Sequence, residues 1–473
     1  MRGSDLFATI GLPAPAELAR LDISGITADS RAVRPGMIFA ALPGAKADGS
    51  AFIGQAVAAG AVAVLALPET NWPAGVPPRP LIEAVQPRLK LARIAACLAG
   101  PSPDCVVAVT GTNGKTSSVD FLRQFWTLSG LHAASLGTLG VVAPGHVGGG
   151  GLTTPDPVAL AETMAMLARE GVTHAALEAS SHGLDQYRLD GVAITAAGFT
   201  NLTRDHLDYH GTMDAYRAAK LRLFQELLPD GAPAVASDTL DADTLAALRD
   251  IAARRRLMLR VVGPEACVAR PDGQEIRAFG RDVFLPLAGR FQADNAVLAA
   301  ALAETTGIDD PLSLFGHLTG VRGRMELAAK LPNGAAAYVD YAHTPDAIAR
   351  LIAALRPHTE GRLVIVFGAG GDRDPGKRPL MGEAAKAADV AIVTDDNPRS
   401  ENPATIRAAI RAAIPDAIEI GNREQAIAAG LSMLGAGDVL VVAGKGHELG
   451  QIVAGTTLPF DDAAVIRALA GVV

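Results

Sequence analysis

The stretch of sequence that decides the fold reads VVAVTGTNGKTSS and occupies residues 106–118. Its β-branched apolar half predicts a strand, and its second half is a turn bracketed by Gly111 and Gly114. Lys115 and Thr116 then open a helical segment. In such a loop the backbone N–H groups face an anion, the lysine reaches the outer phosphates and the threonine hydroxyl binds Mg²⁺. The stretch therefore predicts a phosphate-binding loop between a strand and a helix.

The spacing of this loop differs from that of the common phosphate-binding loop. The common pattern is G-x-x-x-x-G-K followed by Ser or Thr. Here Val109 stands at the position of the first glycine, so the pattern is the tighter G-x-x-G-K-T. The absence of proline from the turn still favours a functional loop over a structural one.

The composition is that of a large globular chain. With 473 residues, 49% of them hydrophobic and 19% charged, about two to four domains with large cores are expected. A net charge of −8 and the lack of a dense Lys/Arg run argue against a nucleic-acid surface. Three cysteines, Cys97, Cys105 and Cys267, show no paired spacing, which fits a reducing compartment. No signal segment and no apolar run of ~18 residues is present, so we expect a cytoplasmic protein without membrane insertion.

Strand and helix signals divide the chain into three blocks. Residues 1–103 predict a small α/β unit with a strand at 37–41 after a Pro-Gly turn, a strand at 61–66 and a helix at 52–59. Residues 104–323 alternate strands and helices in the rhythm of a parallel sheet, with strands at 174–178 and 193–200.

The third block, residues 324–473, contains four apolar strand candidates separated by helical segments. This pattern predicts a second, open parallel sheet of the dinucleotide-fold kind. The strand candidates span residues 336–340, 363–368, 390–394 and 439–443.

Polar residues at strand ends are the candidates for chemistry, because ligands bind parallel sheets at the carboxyl ends of the strands. Glu178 ends a strand and is a candidate Mg²⁺ ligand or water holder beside the phosphate loop. The run NLTRDHLDYHG at 201–211 packs two Asp and two His after another strand. It is either a capped surface turn or a metal or phosphate site. By its position alone, Lys220 on the next helix would be a solvated surface residue.

Four charged loops follow the strand candidates of the third block. They cover residues 340–346, 367–378, 395–399 and 443–448. Their glycines allow a close approach of the backbone to a ligand, and their Arg and Lys side chains pair with carboxylate or phosphate. Four such loops at one edge of a sheet predict a ligand site there.

In this order, these motifs closely resemble those of the Mur ligases, ATP-dependent amide-bond-forming enzymes of peptidoglycan synthesis. The resemblance runs over essentially the whole length, from Asp29-Ser30-Arg31 to the run Gly444–Glu448. It implies an α/β fold of three domains. These would be an N-terminal uridine-nucleotide domain at 1–103, a central P-loop ATP domain with a parallel sheet at 104–323 and a C-terminal Rossmann-like amino-acid domain at 324–473.

The resemblance also implies the ATP and metal sites. Lys115, Lys220, His206 and Glu178 are the implied catalytic residues. Thr116, Glu178, His206 and Lys220 would hold Mg²⁺, and Lys220 would be carbamylated to N6-carboxylysine, which requires a neutral amine. The implied ATP contacts are Gly111, Thr112, Asn113, Gly114, Lys115, Thr116, Ser117, Asn295, Arg324, Asp340, Tyr341 and His343.

Within the family, the chain resembles the ligases that add diaminopimelate to the UDP-linked muramoyl dipeptide. The positions that would contact this nucleotide are Ser30, Thr153, Thr154, Ser180, Gln186 and Arg188. The positions that would bind diaminopimelate are Arg373, Asp396, Asn397, Pro398, Arg399, Gly444 and Glu448. Arg399 offers a bidentate fork to the distal carboxylate, which lysine lacks, and Glu448 offers an anion to the distal ammonium.

Some positions depart from the family pattern. Leu152 and Gln292 replace common Asn residues, and Ala45 and Lys46 replace more usual polar residues near the nucleotide. Alternatives remain a ligase that adds lysine or another diamino acid, a folylpolyglutamate synthase-like ligase and a non-catalytic nucleotide-gated module. The expected partners are small molecules only, namely ATP, the muramoyl-dipeptide nucleotide and meso-diaminopimelate, and we expect a monomer.

Overall fold

In the computed structural model, the described residues are 1–11, 15–44, 48–148 and 152–471. They form two compact units. The first comprises residues 1–262 and 298–309, and the second comprises residues 263–297 and 310–473. Ala45 and Lys46 lie outside the described residues. The domain boundaries expected at 103 and 323 stay predictions.

A parallel four-stranded sheet in the order β1-β2-β3-β4 forms the N-terminal part of the first unit. β3 is buried at every position, as expected of a short apolar run between helices. The strands and the helix predicted in this part are confirmed. The elements are α1 (Gly3–Thr9), β1 (Gly25–Thr27), β2 (Met37–Ala40), α2 (Ile53–Ala58), β3 (Ala63–Ala66), β4 (Leu81–Glu83) and α3 (Pro87–Ala99).

An eight-stranded sheet forms the rest of the first unit, in the order β12-β11-β10-β5-β9-β6-β7-β8. Its strands are β5 (Cys105–Thr110), β6 (Ala133–Gly137), β7 (Gly140–Ala143), β8 (His146–Gly148), β9 (His174–Glu178), β10 (Ala196–Phe199), β11 (Pro233–Ser237) and β12 (Met258–Val262). The pairs from β12 to β6 are parallel, but β7 and β8 are antiparallel. The predicted parallel sheet is therefore confirmed from β12 to β6, and an antiparallel edge that the sequence analysis did not predict extends it. The connections β6–β7 and β7–β8 are too short for a crossover, so these strands form hairpins.

The helices of this part follow the strands. They are α4 (Lys115–Leu128), α5 (Pro157–Arg169), α6 (Ser181–Asp185), α7 (Leu207–His210), α8 (Met213–Arg222) and α9 (Ala242–Arg255). The Asp156 side chain caps α5, and the Thr212 side chain caps α8. β10, β5 and β9 are neighbours, so the residues that follow these three strands meet at one edge of the sheet.

The second unit begins with an antiparallel sheet that the sequence analysis did not predict. Its strands are β13 (Ala266–Arg270), β14 (Gly273–Ala278) and β15 (Arg281–Leu285). Helix α10 (Arg290–Thr305) follows and contains residues of both units.

The main sheet of the second unit has six strands in the order β16-β17-β21-β18-β19-β20. They are β16 (Glu326–Lys330), β17 (Ala336–Asp340), β18 (Leu363–Phe367), β19 (Val390–Val393), β20 (Ile418–Glu419) and β21 (Val439–Ala443). The predicted parallel sheet is confirmed from β17 to β20, but the edge strand β16 is antiparallel. A turn of five residues joins β16 to β17, which again permits only a hairpin.

Helices cover both faces of this sheet, and a hairpin lies near the C-terminus. The elements are α11 (Pro345–Leu355), α12 (Lys377–Ala385), α13 (Pro403–Arg411), α14 (Arg423–Ser432), β22 (Gly450–Val453), β23 (Thr456–Pro459) and α15 (Asp462–Ala470). β17, β21, β18 and β19 are parallel neighbours, so the four charged loops do lie at one edge. Among the described residues, no helix is both long enough and apolar enough to cross a membrane.

Candidate active site

The loop after β5 is shaped by its two glycines. Gly111 and Gly114 have φ angles of 147° and 82°, which L side chains rarely adopt. A Cβ atom at Gly111 would lie 1.9 Å from Oγ1 of Thr200, so no larger residue fits there. The end of β10 holds the loop: Thr200 Oγ1 donates to the carbonyl of Asn113 at 2.6 Å, and Asn201 Oδ1 accepts from the N–H of Asn113 at 3.0 Å. The end of β10 thus holds the predicted phosphate loop in a defined shape directly before the N-terminus of α4, where an anion would bind.

Two lysines meet at the carbonyl oxygen of Gly111. Nζ of Lys115 donates to it at 2.9 Å and to the Thr112 carbonyl at 2.8 Å. Nζ of Lys220 donates to the Gly111 carbonyl at 2.7 Å, although 109 residues separate the two in sequence. Lys220 on α8 therefore contacts the phosphate loop and is not a solvated surface residue.

The surroundings of Lys220 disfavour its charge. The side chain is 1% exposed, and Nζ lies 4.5 Å from the centre of the Tyr216 ring. Burial and the nearby charge of Lys115 lower the pKa of Lys220 to about 6. Burial also lowers the pKa of Lys115, against the attraction of Glu178 and Asp205. At neutral pH the amine of Lys220 is largely uncharged and therefore nucleophilic.

Glu178 is buried beside Thr116. Its Oε1 accepts a hydrogen bond from Thr116 Oγ1 at 2.9 Å and from the N–H of Thr138 at 2.8 Å. Burial raises the pKa of Glu178, although these hydrogen bonds and the charge of Lys115 oppose the rise. A Cβ atom at Gly137 would lie 2.0 Å from Oε1 of Glu178, so Gly137 makes room for the carboxylate.

His206 lies in an aromatic cluster after β10. Its backbone adopts a positive φ of 50°, and its Nε2 lies 3.5 Å from Oδ2 of Asp205. Its ring centre is 4.9 Å from that of His182 and 6.1 Å from that of Tyr216. Within the described part of the chain, no hydrogen bond or ring contact joins His206 to the other predicted metal ligands. The run 201–211 thus forms a turn and the short helix α7, which has no side-chain cap, and its aromatic rings meet edge-to-face or tilted.

The side-chain oxygens at the phosphate loop are suitable ligands for magnesium. The hydroxyl of Thr116 and the carboxylate of Glu178 are hard oxygen ligands, and Mg²⁺ in nucleotide sites takes one or two carboxylates together with substrate phosphates. No three His, Cys, Asp or Glu side chains of the described residues group closely enough to hold a metal by themselves. The fit therefore depends on these two oxygens and on phosphates supplied by a nucleotide.

The structure brings the predicted contacts of the muramoyl dipeptide next to Glu178. Thr154 Oγ1 donates to the Glu178 carbonyl at 2.7 Å and lies 3.0 Å from Oγ of Ser180. Arg188 donates to the Thr154 carbonyl at 2.6 Å and to Oε1 of Gln186 at 2.7 Å.

Two predicted contacts of this set remain, namely Thr153 and Ser30. Thr153 Oγ1 lies 3.2 Å from Oγ1 of Thr138, which links it to the same group. A cavity of about 920 Å³ is lined by Ser30, Gln186 and Arg188, and Leu152 also faces it. The opening between the N-terminal sheet and the eight-stranded sheet is large enough for a nucleotide.

The remaining predicted ATP residues belong to the second unit. The guanidinium of Arg324 lies 4.8 Å from the centre of the Tyr341 ring, and that ring is 4.6 Å from His343. Asp340 accepts from two backbone N–H groups, and burial raises its pKa. Asn295 is 5% exposed on α10, and no hydrogen bond or ring contact of the described residues joins it to this group.

The loops after β18, β19 and β21 are in close contact with one another. Gly444 has a φ of 118°, and a Cβ atom there would lie 2.5 Å from Oδ2 of Asp396. Arg399, at a positive φ of 52°, donates through Nη1 to the Gly371 carbonyl at 2.7 Å. Arg373 is exposed. The predicted diaminopimelate residues therefore share one edge of the sheet, with Pro398 buried between Asn397 and Arg399.

Three residues of these sites were missed in the sequence analysis. Thr138 binds Glu178 with its N–H group, and a strand ending in Gly137 was the available signal. Lys445 is fully buried and donates to Asn397 and Glu448. The sequence analysis assigned Gly444 and Glu448 of the same loop to ligand binding, but the spacing of residues in a sequence cannot show that a lysine is buried. Gln451, on the unpredicted hairpin β22–β23, donates to the Asp396 carbonyl at 2.5 Å.

Comparison with protein families matches three successive parts of the chain. Residues 22–99 match the family described as "Mur ligase family, catalytic domain". Residues 109–303 match "Mur ligase middle domain", and residues 323–446 match "Mur ligase, glutamate ligase domain". The order agrees with the three-domain fold expected from the sequence.

Individual relatives match most or nearly all of the chain. A protein of Chelativorans sp. (strain BNC1), named UDP-N-acetylmuramoyl-L-alanyl-D-glutamate–2,6-diaminopimelate ligase, is 52% identical over 98% of this chain and 97% of its own length. A solved structure of a ligase with the same name is 32% identical, covers 98% of each chain and has a TM-score of 0.78. The folylpolyglutamate synthase of Mycobacterium tuberculosis, solved with ADP and AMPPCP, is 19% identical and has a TM-score of 0.57 over 81% of this chain and 95% of its own. The chain therefore belongs to the Mur ligase family.

Proposed function

We propose that this chain joins meso-2,6-diaminopimelate to UDP-N-acetylmuramoyl-L-alanyl-D-glutamate with the cleavage of ATP to ADP and phosphate, in peptidoglycan precursor synthesis. The observation that carries the proposal is the 52% identity, over nearly the full length, to a relative named for this reaction. The domains would be residues 1–103 for the uridine nucleotide, 104–323 for ATP and 324–473 for the amino acid. The reaction would take place in the cytoplasm, with the chain acting as a monomer.

The first step activates a carboxylate. A γ-carboxylate oxygen of the D-glutamyl residue attacks the γ-phosphorus of ATP, the bond to the bridging oxygen breaks, and ADP leaves an acyl phosphate behind. Two anions approach each other, so the barrier is mainly electrostatic. Lys115 and the N–H groups at the N-terminus of α4 would offset this repulsion. Magnesium, when bound, would neutralise phosphate charge there.

Four side chains would hold the metal. Thr116 and Glu178 supply hard oxygens, and their 2.9 Å hydrogen bond supports their assignment. His206 and the carbamate of Lys220 complete the proposed set. The carbamate forms when the neutral amine of Lys220 adds to the carbon of CO₂ and loses a proton. A pKa of about 6 for Lys220 supports this reaction at neutral pH.

The second step forms the amide. The neutral α-amine of diaminopimelate attacks the acyl carbon, and the C–O bond to phosphate breaks. Arg399 and Arg373 would bind the distal carboxylate, and Glu448 would bind the distal ammonium. Asp396, Asn397, Pro398 and Gly444 would shape this pocket, since the lack of a side chain at Gly444 leaves room for the Asp396 carboxylate.

The assay is ADP release by the purified chain with ATP, Mg²⁺ and the muramoyl-dipeptide nucleotide. We expect release to require diaminopimelate, with kcat/KM at least about tenfold above that for L-lysine, because one charged hydrogen bond is worth about 1.5–3 kcal/mol. Comparable values for both amino acids would reject the specificity. ADP release without ligation would favour the nucleotide-gated module.

A further inference from the structure

Lys445 lies in the loop after β21, and its side chain is fully buried. Its Nζ donates to Oδ1 of Asn397 at 3.1 Å, to Oε2 of Glu448 at 2.9 Å and to the carbonyl of Gly450 at 2.6 Å. An ammonium group has three N–H donors. All three are therefore used within the protein, and none remains for a ligand.

These bonds determine the orientation of the Asn397 amide. Oδ1 of Asn397 accepts from Lys445 and from the N–H of Ile452 at 2.9 Å. Both partners are donors, so the oxygen must point toward them. The NH₂ group then points the other way and donates to Oε2 of Glu448 at 2.8 Å. Without Lys445, one of the two donors that hold this orientation would be lost.

The same bonds determine how Glu448 presents its charge. Oε2 accepts from both Lys445 and Asn397, whereas no described residue donates to Oε1. Burial by itself would raise the pKa of Glu448, but hydrogen bonds from Lys445 and Asn397 outweigh burial and lower it. The carboxylate thus stays ionised with one oxygen committed to the protein and the other available.

We propose that Lys445 is a positioning residue for recognition of the distal ammonium of the amino-acid substrate. It contacts no substrate atom. It locks Asn397 and Oε2 of Glu448 together, which leaves Oε1 of Glu448 as the acceptor for that ammonium. The inference rests on the proposed function, because Glu448 is assigned there to the distal ammonium.

A purely structural role for Lys445 predicts a different result. If Lys445 only stabilised the loops, its loss would weaken every substrate contact that they make, including the contact with the distal carboxylate of the substrate. A positioning role through Glu448 weakens only recognition of the distal amine. The two roles are separated by an alternative substrate, 2-aminopimelate, which keeps both carboxylates of diaminopimelate and lacks the distal amine.

The test compares Lys445→Met with wild type on both substrates. We expect KM for diaminopimelate to rise about 10- to 100-fold with kcat within about threefold, because one charge-assisted contact is weakened. KM for 2-aminopimelate, ATP and the nucleotide should change by less than about threefold. The matched control is Lys386→Met, since Lys386 pairs with Glu383 three residues away, as Lys445 does with Glu448, but is exposed. The control should leave all constants unchanged.

A second pair of variants covers a failure of Lys445→Met to fold. Lys445→Met/Glu448→Gln removes both charges together, which a protein tolerates better than one unpaired buried charge. Its KM for diaminopimelate should match that of Glu448→Gln within about threefold. A further tenfold loss in the double variant, or an equal loss on both substrates in Lys445→Met, would overturn the inference. Wild type that releases no ADP with diaminopimelate would instead reject the proposed function.

Discussion

Lys115 and Lys220 donate hydrogen bonds to one shared acceptor, the carbonyl oxygen of Gly111, at 2.9 and 2.7 Å. Two ammonium groups so close together repel each other, and both are buried enough to lose hydration. Burial, and after it the charge of Lys115, disfavours the protonated amine of Lys220 and lowers its pKa to about 6. The Gly111 carbonyl thus lies between Lys115 of the phosphate loop and Lys220 of α8, whose lowered pKa favours the neutral amine that the proposed carbamate requires.

The first prediction concerns the carbamate on Lys220. In buffer with ¹³C-bicarbonate, wild type should show a carbamate ¹³C signal at pH 8 that is lost as the pH falls through about 6, where the amine becomes protonated. Lys220→Ala should lack the signal and lose about 10²- to 10³-fold in kcat, as expected when a charged group at a phosphoryl-transfer site is removed. Full activity without the signal would contradict the assignment.

The lowered pKa of Lys220 also predicts how stability depends on pH. A lysine in the unfolded chain has its ordinary pKa of 10.5, so between pH 6 and 10.5 the unfolded chain binds more protons at this position than the folded one. The free energy of unfolding should therefore rise with pH in this window through Lys220. In CO₂-free buffer, the rise in Tm from pH 6 to pH 8 should be smaller for Lys220→Met than for wild type. An identical rise in both proteins would argue that the amine is protonated.

The second prediction concerns Glu178. Glu178→Gln should raise the Mg²⁺ concentration needed for half-maximal activity by about tenfold or more, because a carboxylate ligand becomes a neutral amide. Burial raises the pKa of Glu178, so the ionised carboxylate destabilises the fold above that pKa and the variant should have a higher Tm at pH 7.5.

The matched control is Glu170→Gln in the same unit. Glu170 is half-exposed and pairs with His146 at the surface. This variant should change neither the Mg²⁺ requirement nor Tm, since exposed ion pairs contribute little. A normal Mg²⁺ requirement in Glu178→Gln would remove Glu178 from the metal site.

The third prediction concerns Arg399. Arg399→Ala should raise KM for diaminopimelate by about 10- to 100-fold, because a charged fork for the distal carboxylate is lost. KM for L-lysine, which has no such carboxylate, should change little. Arg350→Ala is the control, because Arg350 is exposed on α11 and pairs only with Asp346 among the described residues. A loss of equal size for both amino acids would show that Arg399 acts only on the loop, through its bond to Gly371.

The fourth prediction concerns a buried ion pair beside the ends of β19 and β21. Arg423 and Asp462 are fully buried and bind each other through two hydrogen bonds of 2.7 and 2.8 Å. Arg423 also donates to the carbonyl of Ala443, the last residue of β21. Asp462→Ala should lower the free energy of unfolding by about 3–5 kcal/mol, because it leaves an unpaired buried charge. Urea unfolding measures this change, and Asp346→Ala, which breaks an exposed pair, should show no comparable loss.

The sequence predicted the strands with the strongest apolar runs almost to the residue. β9 and β17 begin and end where the sequence analysis placed them, because each is a short apolar run that ends in a carboxylate. The antiparallel sheet β13–β15 was not predicted. β13 alternates exposed and half-buried residues, and β15 is exposed at three of its five positions, so neither strand shows a clear apolar pattern.

The sequence by itself determined the phosphate loop, the order of the three family domains and the charged loops that end four parallel strands. These features are local, because glycine placement, apolar runs and strand-end chemistry are written in consecutive residues. Only the tertiary structure decided that Lys220 reaches Gly111, that Gly137 makes room for Glu178 and that Lys445 is buried against Glu448. Burial and the meeting of distant strand ends depend on sheet order, and with them the protonation state of Lys220 and the charge of Glu448.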